Sequence, residues 1–231
     1  MLYNLALESI MKKPQLIVFA SGSKEGGGSG FENLVRATRS NPRVLNADIV
    51  AVVSNHENGG VRERADRLSI PFEHFPLPRE AEDYKRIVEK YSNPWVALSG
   101  WLKLARGLDP KRTINVHPGP LPEFGGDGMY GHHVHEAVIA AFGNEEVKYS
   151  AVSMHFVTEK YDEGPMVFQF PVPIYAGDTA ETLAARVNAA EHCWQPYIIN
   201  LIVNEIISWT GVSGDPVIFP KKTIYPFRVG Q

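Results

Sequence analysis

The chain has 231 residues, of which 44% are hydrophobic and 21% charged, a composition typical of folded globular proteins that excludes a disordered one. Its 23 basic and 26 acidic residues leave a net charge of −3, too little positive charge for a nucleic-acid partner, and its single cysteine excludes an internal disulfide. No apolar run is long enough for a membrane span, and the first residues lack the basic stretch of a secretory signal. We therefore expect one cytoplasmic domain with neither nucleic-acid nor membrane partners.

The first half of the chain predicts strands that alternate with helices. Short apolar runs indicate strands over residues 15–20, 48–54, 71–75, 95–99 and 113–117. Apolar residues at helical spacing indicate helices over residues 31–40, 61–69 and 79–91. This order predicts an α/β fold with a single, mostly parallel twisted sheet flanked by helices.

The second half changes character at a proline- and glycine-rich stretch, residues 118–131, which we predict to be a loop. The elements expected after it are a helix over 132–142, two strands over 150–158 and 166–174, and a helix from 178–179 to about 209. Pro196 is predicted to kink or interrupt that last helix.

A glycine-rich turn links the first strand to the first helix, with the sequence Ser21-Gly-Ser-Lys-Glu-Gly-Gly-Gly-Ser-Gly30. Backbone amides in such turns, and at the start of a helix, bind anions. Lys24 comes too early for a Walker loop, and Asn33 stands where a dinucleotide fingerprint needs glycine. The alternative is a surface turn without function, but we favour a site for a phosphomonoester.

The fifth strand ends in Asn115-Val-His117. Strand alternation places Asn115 and His117 on one face at a carboxyl end of the sheet, where open α/β sheets bind ligands. An amide beside an imidazole can stabilise an oxyanion and transfer a proton. Asp162 would join this pair only if its loop folds over them, which the pattern leaves open.

Other histidines raise the alternative of a metal site. His133 and His135 could chelate a metal on a strand, with His117 as a third ligand. On the predicted helix, however, residues two apart diverge, and no acidic ligand stands at a suitable interval. We therefore expect no metal at His132, His133 or His135, and we interpret His155 as a structural residue.

A set of motifs follows one order along the chain: Gly28-Ser29-Gly30, Leu98-Ser-Gly-Trp-Leu-Lys103, Asn115-Val-His-Pro118, Ser153-Met-His-Phe-Val157, Asp162-Glu-Gly-Pro165, Ala176-Gly-Asp178 and Glu191-His192. This ordered set resembles the phosphoribosylglycinamide formyltransferase family of folate-dependent enzymes. The resemblance implies a Rossmann-like formyltransferase domain over residues 14–210, an N-terminal extension over 1–13 and a tail over 211–231 that packs on the domain. It also implies formyl transfer from 10-formyltetrahydrofolate to the amine of 5-phosphoribosylglycinamide in purine synthesis, without a metal.

The resemblance assigns roles to individual residues. The implied catalytic residues are Asn115, His117 and Asp162. The residues implied to bind the amine substrate are Gly28, Ser29, Gly30, Asn188 and Glu191. The residues implied to bind the formyl donor are Arg79, Trp101, Leu102, Lys103, Leu104, Asn115, Val157, Thr158 and Tyr161. In such a site Asn115 and a protonated His117 would stabilise the oxyanion, and Asp162 would raise the pKa of the imidazole.

Three alternatives to this activity stay open to test. A formyltetrahydrofolate deformylase is expected to carry an N-terminal regulatory domain, and a methionyl-tRNA formyltransferase a further C-terminal domain, for which the sequence leaves no room. A noncatalytic anion-binding module would use the glycine-rich turn but has no use for the catalytic residues. Both a monomer and a homodimer are consistent with the sequence.

Overall fold

Residues 12–24 and 26–220 are described in the computed structural model of the protein. Most of the predicted extension over 1–13, and the second half of the predicted tail over 211–231, therefore lie outside the described residues. Within the described part, no helix combines the length and the apolar character needed to cross a bilayer.

One sheet of seven strands forms the centre of the described chain, in the order β3-β2-β1-β4-β5-β6-β7. The strands are β1 (Gln15–Phe19), β2 (Asp48–Ser54), β3 (Phe72–His74), β4 (Trp95–Leu98), β5 (Thr113–His117), β6 (Tyr149–Phe156) and β7 (Met166–Pro173). The first five pair in parallel, whereas β6 is antiparallel to both β5 and β7. The predicted α/β class with a mostly parallel sheet is confirmed.

Helices cover both faces of the sheet. They are α1 (Ser29–Arg39), α2 (Gly60–Leu68), α3 (Ala81–Val88), α4 (His132–Gly143) and α5 (Ala180–Val203). Alternate residues of β1 enter two separate cores: Leu16 and Val18 pack with residues of α1, α2, α4 and α5, while Ile17 and Phe19 pack with residues of α3. A strand buried on both faces explains why β1 reads as a continuous apolar run.

The last helix differs from the prediction at two points. It ends at Val203, not near Trp209, and the chain after it turns back so that Ser208 pairs with Ile218. It also runs through Pro196 without interruption. Proline lacks the amide that would bond to the His192 carbonyl, and Asn33 of α1 donates its side-chain amide to that oxygen at 2.7 Å. The interruption was predicted wrongly because a residue far away in sequence supplies the missing hydrogen bond.

The described part of the tail folds back on the domain. Val217 and Phe219 contact the larger core, and the Trp209 indole donates to the carbonyl of Asp215 at 3.1 Å. The division of the chain at residues 14 and 210 stays a prediction.

A wide cleft of about 1,210 Å³ opens where β1 and β4 begin, with Lys12, Arg43 and Arg112 in its walls. None of the site residues that the sequence predicts lines this cleft. Most of those residues line a second cavity at the opposite edge of the sheet, where β4 and β5 end, as expected for a parallel α/β fold.

Candidate active site

Three polar side chains meet where β5 ends. Asn115 and His117 project from one face of the strand, and Asp162 reaches them from the loop between β6 and β7. The amide nitrogen of Asn115 donates to Asp162 Oδ1 at 3.2 Å, and His117 Nδ1 lies 3.6 Å from Asp162 Oδ2. The loop of Asp162 therefore does fold over the pair, the point that the sequence pattern had left open.

Asp162 is held from several sides. Its Oδ2 accepts a hydrogen bond from the backbone amide of Gly126 at 3.1 Å, and its φ of +53° lies in the left-handed region that few residues with side chains adopt. Burial raises the pKa of the Asp162 carboxyl, but the neighbouring imidazoles of His155 and His117 and the Gly126 amide outweigh burial and leave that pKa below its usual value. The side chain is therefore an anion although it is only 10% exposed.

His117 is neutral in the resting site. Its Nε2 lies 2.7 Å from the carbonyl oxygen of Phe124, so this nitrogen carries the proton and donates it. Burial lowers the pKa of the His117 imidazole, and the opposing effects of Asp162 and the Phe124 carbonyl do not compensate. As expected, Asp162 acts to raise the pKa of the imidazole, but burial is the larger cause in the resting site. The protonated imidazole expected during the reaction stays a prediction.

His155 is the residue that sequence reasoning missed. Its Nδ1 donates to the carbonyl of Phe156 at 2.8 Å, which leaves Nε2 facing the Asn115 amide nitrogen at 3.1 Å and Asp162 Oδ1 at 3.3 Å. His155 and Asn115 lie directly opposite each other in the antiparallel pair of β5 and β6. The sequence led us to interpret His155 as structural and to leave it out of the site. The structure places it in contact with Asn115 and Asp162, and the cross-strand register is the signal that would have found this contact.

Close backbone packing fixes the loop that carries Asp162. A Cβ added at Gly164 would overlap the carbonyl oxygen of Phe156, so only glycine fits there. On the other side of the site, Ser153 donates to the carbonyl of Gly119 at 2.7 Å, and Gln169 donates to the carbonyl of Leu121 at 3.1 Å. Close packing at Gly164 therefore holds the loop of Asp162, and the two buried hydrogen bonds hold the loop over residues 118–131.

A cavity of about 130 Å³ surrounds these side chains. The predicted donor-binding residues that line it are Trp101, Leu102, Lys103, Leu104, Asn115, Val157, Thr158 and Tyr161. Ligand pockets usually hold roughly 300–1,000 Å³, so a ligand that reaches the cavity must extend beyond it. Arg79 is not in its wall, because its Nε donates to the carbonyl of Phe75 at 2.9 Å.

The glycine-rich loop is shaped by its backbone. Gly28, with φ of +78°, immediately precedes Ser29, which begins α1. The first amides of a helix, here those of Ser29, Gly30 and Phe31, have no carbonyl partner inside the helix. These amides and the helix dipole suit the anion site that the sequence predicts, and binding there stays a prediction.

Three arginines neutralise the one carboxylate in the first turn of α1. Glu32 accepts from Arg36 at 2.6 Å and from Arg67 at 2.8 Å, and it also pairs with Arg64. Arg64 Nε donates to the carbonyl of Gly27 at 2.9 Å, so the same cluster braces the loop. Glu32 is therefore no obstacle to an anion at the start of α1.

Glu191 connects the loop to the cavity. It lines the cavity, and a Cβ added at Gly30 would lie 3.2 Å from its Oε1. That same Cβ would overlap Ser99 Oγ, so glycine allows α1, α5 and the end of β4 to approach closely. Burial raises the pKa of the Glu191 carboxyl to about 7. Asn188, the other substrate residue predicted on α5, lies about one helical turn before Glu191.

The histidines of α4 are spread over different environments. His132 lies 3.3 Å from Glu181, and His133 lies 3.1 Å from Glu136, all on the surface. His135 is buried, and burial lowers the pKa of its imidazole to about 4. Across residues 12–24 and 26–220, no three His, Cys, Asp or Glu side chains are grouped so that they could hold a metal ion.

Comparison with known proteins identifies the family and several named relatives. Residues 15–199 match the sequence profile of the formyl transferase family. The chain is 36% identical over 222 residues to the chloroplastic phosphoribosylglycinamide formyltransferase of Arabidopsis thaliana, covering 91% of this chain and 72% of the relative. It is 30% identical over 188 residues to the phosphoribosylglycinamide formyltransferase of Escherichia coli, covering 76% of this chain and 82% of the relative.

A solved structure gives the same result for the fold. The glycinamide ribonucleotide transformylase 1 of Symbiobacterium toebii superimposes with a TM-score of 0.74 at 28% identity, covering 90% of this chain and 95% of that one.

Proposed function

Since the chain belongs to the phosphoribosylglycinamide formyltransferase family, we propose that it transfers the formyl group of 10-formyltetrahydrofolate to the amine of 5-phosphoribosylglycinamide, a step of purine synthesis. The observation that carries the proposal is the contact of Asn115, His117 and Asp162 at a cavity that Glu191 joins to an anion site. Such an arrangement suits a reaction between a phosphorylated amine and a second, apolar ligand.

The amine substrate would bind across α1 and α5. Its phosphate accepts hydrogen bonds from the backbone amides of Ser29 and Gly30, where the dipole of α1 favours an anion. Glu191 and Asn188 on α5 would then contact the part of the substrate nearer the amine. Because Glu191 also lines the cavity, this orientation points the amine toward Asn115 and His117.

The formyl donor would enter the cavity from the side of residues 101–104 and 157–161. Leu102, Leu104 and Val157 supply apolar contacts for a flat ring, and backbone groups of the two segments supply hydrogen-bond partners. Lys103 is exposed at the rim and adds a positive charge where a carboxylate of the donor would leave the cavity. Arg79 could contact the formyl donor only after its hydrogen bond to the Phe75 carbonyl breaks.

Asn115 and His117, at the end of β5, would have separate roles in the chemical step. As the amine attacks the formyl carbon, Asn115 donates a hydrogen bond to the oxygen on which negative charge develops. His117 accepts the proton that the amine releases, and the anionic Asp162 stabilises the imidazolium that forms. His117 then gives the proton to the departing nitrogen of the donor, so protons balance and no covalent enzyme intermediate forms.

The resting contacts set a condition on this step. His117 Nε2 donates to the Phe124 carbonyl, and the Asn115 amide nitrogen contacts both His155 and Asp162. Substrates must therefore replace the Phe124 carbonyl at His117 and one partner of Asn115 before the reaction. The proton of the neutral imidazole must then move from Nε2 to Nδ1, which faces Asp162, so that Nε2 can accept the proton of the amine. His155 retains its bond to the Phe156 carbonyl, so its Nε2 stays beside Asn115 and Asp162 throughout.

The direct test is to mix the protein with 10-formyltetrahydrofolate, with and without 5-phosphoribosylglycinamide, and to follow both the folate product and the formylated amine. Folate release that depends on the amine, with equal formation of formylated amine, is the expected result. Amine-independent release would indicate a hydrolase, and no release in either sample would indicate a binding module; either would contradict the proposal. A cytoplasmic location and a monomeric or homodimeric state stay predictions.

A further inference from the structure

The wall of the cavity formed by residues Trp101–Leu104 has no regular secondary structure. It follows β4 and lacks the ladder hydrogen bonds that would fix its backbone. Its shape must therefore come from contacts with other parts of the chain. One of these contacts is the Leu102 amide, which donates to Ser21 Oγ at 2.9 Å.

Tyr84 of α3 supplies two more contacts. Its hydroxyl accepts a hydrogen bond from Trp101 Nε1 at 3.1 Å and donates to the carbonyl oxygen of Leu104 at 3.0 Å. One oxygen atom thus joins the two ends of the wall. Burial raises the pKa of Tyr84 to about 12, so the hydroxyl keeps the proton that the bond to Leu104 requires.

Packing leaves the Tyr84 ring little freedom. The side chain is fully buried, and its ring centroid lies 4.9 Å from that of Phe75 and 5.8 Å from that of Phe19. The indole of Trp101 is parallel to the Phe75 ring within 7°. These four rings form an aromatic cluster behind the wall, and the cluster fixes where the Tyr84 oxygen lies.

We propose that Tyr84 is a positioning residue for the formyl donor, which it acts on through Trp101 and Leu104 without lining the cavity itself. The proposal rests on the proposed function, since it takes the ligand of this cavity to be a folate. The hydrogen bonds of Tyr84 go to Trp101 and Leu104, which belong neither to the anion site nor to residues 188–191 on α5, so its effect should fall on one substrate only.

Tyr84→Phe keeps the ring and removes the oxygen. The Trp101 N–H and the Leu104 carbonyl then lose their partner inside the protein, and the wall relaxes to satisfy them. The KM for 10-formyltetrahydrofolate should rise on the order of ten-fold, the effect of one or two unmade buried hydrogen bonds. The KM for 5-phosphoribosylglycinamide should stay within about two-fold of the wild-type value, because the substitution leaves the anion site unchanged.

Tyr91→Phe is the matched control. Tyr91 follows α3 and packs against the same core, and its hydroxyl makes no hydrogen bond within the described chain. Both KM values of this variant should equal those of the wild type. If Tyr84→Phe raises both KM values equally, or neither, the positioning role is wrong.

A second variant and a second measurement keep the proposal testable. Trp101→Phe removes one of the two bonds with Tyr84 in place, and it should weaken donor binding in the same direction; unchanged binding would contradict the proposal. Calorimetric binding of 10-formyltetrahydrofolate, with no amine present, separates the two claims. If the wild type binds the donor more tightly than Tyr84→Phe does but transfers no formyl group, the proposed function alone is refuted. If the wild type transfers the formyl group and both proteins bind the donor equally tightly, the positioning role alone is refuted.

Discussion

The catalytic residues and the glycine-rich loop solve the same problem, holding a reactive geometry, by opposite means. Around Asp162, hydrogen bonds from the Gly126 amide at 3.1 Å and from the Asn115 side chain at 3.2 Å hold the carboxylate, and His155 Nε2 lies 3.3 Å from it. In the loop before α1, backbone amides face the ligand, and the shape comes from glycines that let chain segments approach closely. The first region should therefore be sensitive to the change of a single side-chain atom, whereas the second should be sensitive only to substitutions that add bulk.

The largest effect is expected for Asp162→Asn, which tests the side-chain region. The change keeps the size of the side chain but removes the charge that stabilises the His117 imidazolium. Turnover should fall on the order of 10²–10⁴-fold, with much smaller changes in either KM. Glu163→Gln is the control, because this neighbouring carboxylate is exposed and pairs with Lys160. Equal losses for both variants in steady-state kinetics would contradict the role of Asp162.

Two substitutions of Ser29 test the backbone region. Ser29→Ala keeps the amides at the start of α1 and should leave both KM values nearly unchanged. Ser29→Leu places bulk where the phosphate binds, so the KM for 5-phosphoribosylglycinamide should rise about ten-fold or more while that for the donor does not. A strong effect of Ser29→Ala would mean that the hydroxyl, not the backbone, holds the phosphate.

The helix that follows the glycine-rich loop, α1, is joined to α5 by the bond from Asn33 to the His192 carbonyl, one residue beyond Glu191. Asn33→Ala leaves that buried carbonyl unpaired and should cost about 1–2 kcal/mol of unfolding free energy. Pro196→Ala restores an amide four residues along the helix, which can bond to the same carbonyl. In that background Asn33→Ala should cost clearly less in denaturant unfolding. An equal cost in both backgrounds would show that Asn33 does not compensate for the proline.

The smallest effect is expected from a chelator. Neither region uses a metal in the mechanism, so transfer should be unchanged after chelation and dialysis, and elemental analysis should find no stoichiometric metal. Loss of turnover that returns when one particular metal is added back would contradict this.

The sequence predicted most of the fold because the five parallel strands are short apolar runs bounded by turns. β2 and β5 begin and end at the predicted residues. The errors have one physical cause. The continuity of α5 through Pro196 depends on Asn33, and the role of His155 depends on its register opposite Asn115. Both are long-range contacts, which local pattern does not contain.

The candidate site divides in the same way. Asn115 and His117 follow from strand alternation, and the anion site follows from composition. The neutral resting state of His117 does not, because burial is a property of the folded chain. Nor does the position of Arg79, which the Phe75 carbonyl holds outside the cavity wall.

The most direct test of the central claim is a double-mutant cycle in single-turnover formyl transfer, with wild type, Asp162→Asn, His117→Ala and both together. If Asp162 acts through the imidazole, the double variant should be little slower than the slower single variant, because the second change removes a partner that no longer functions. If the two losses in rate multiply instead, Asp162 acts independently of His117 and the coupled mechanism is wrong.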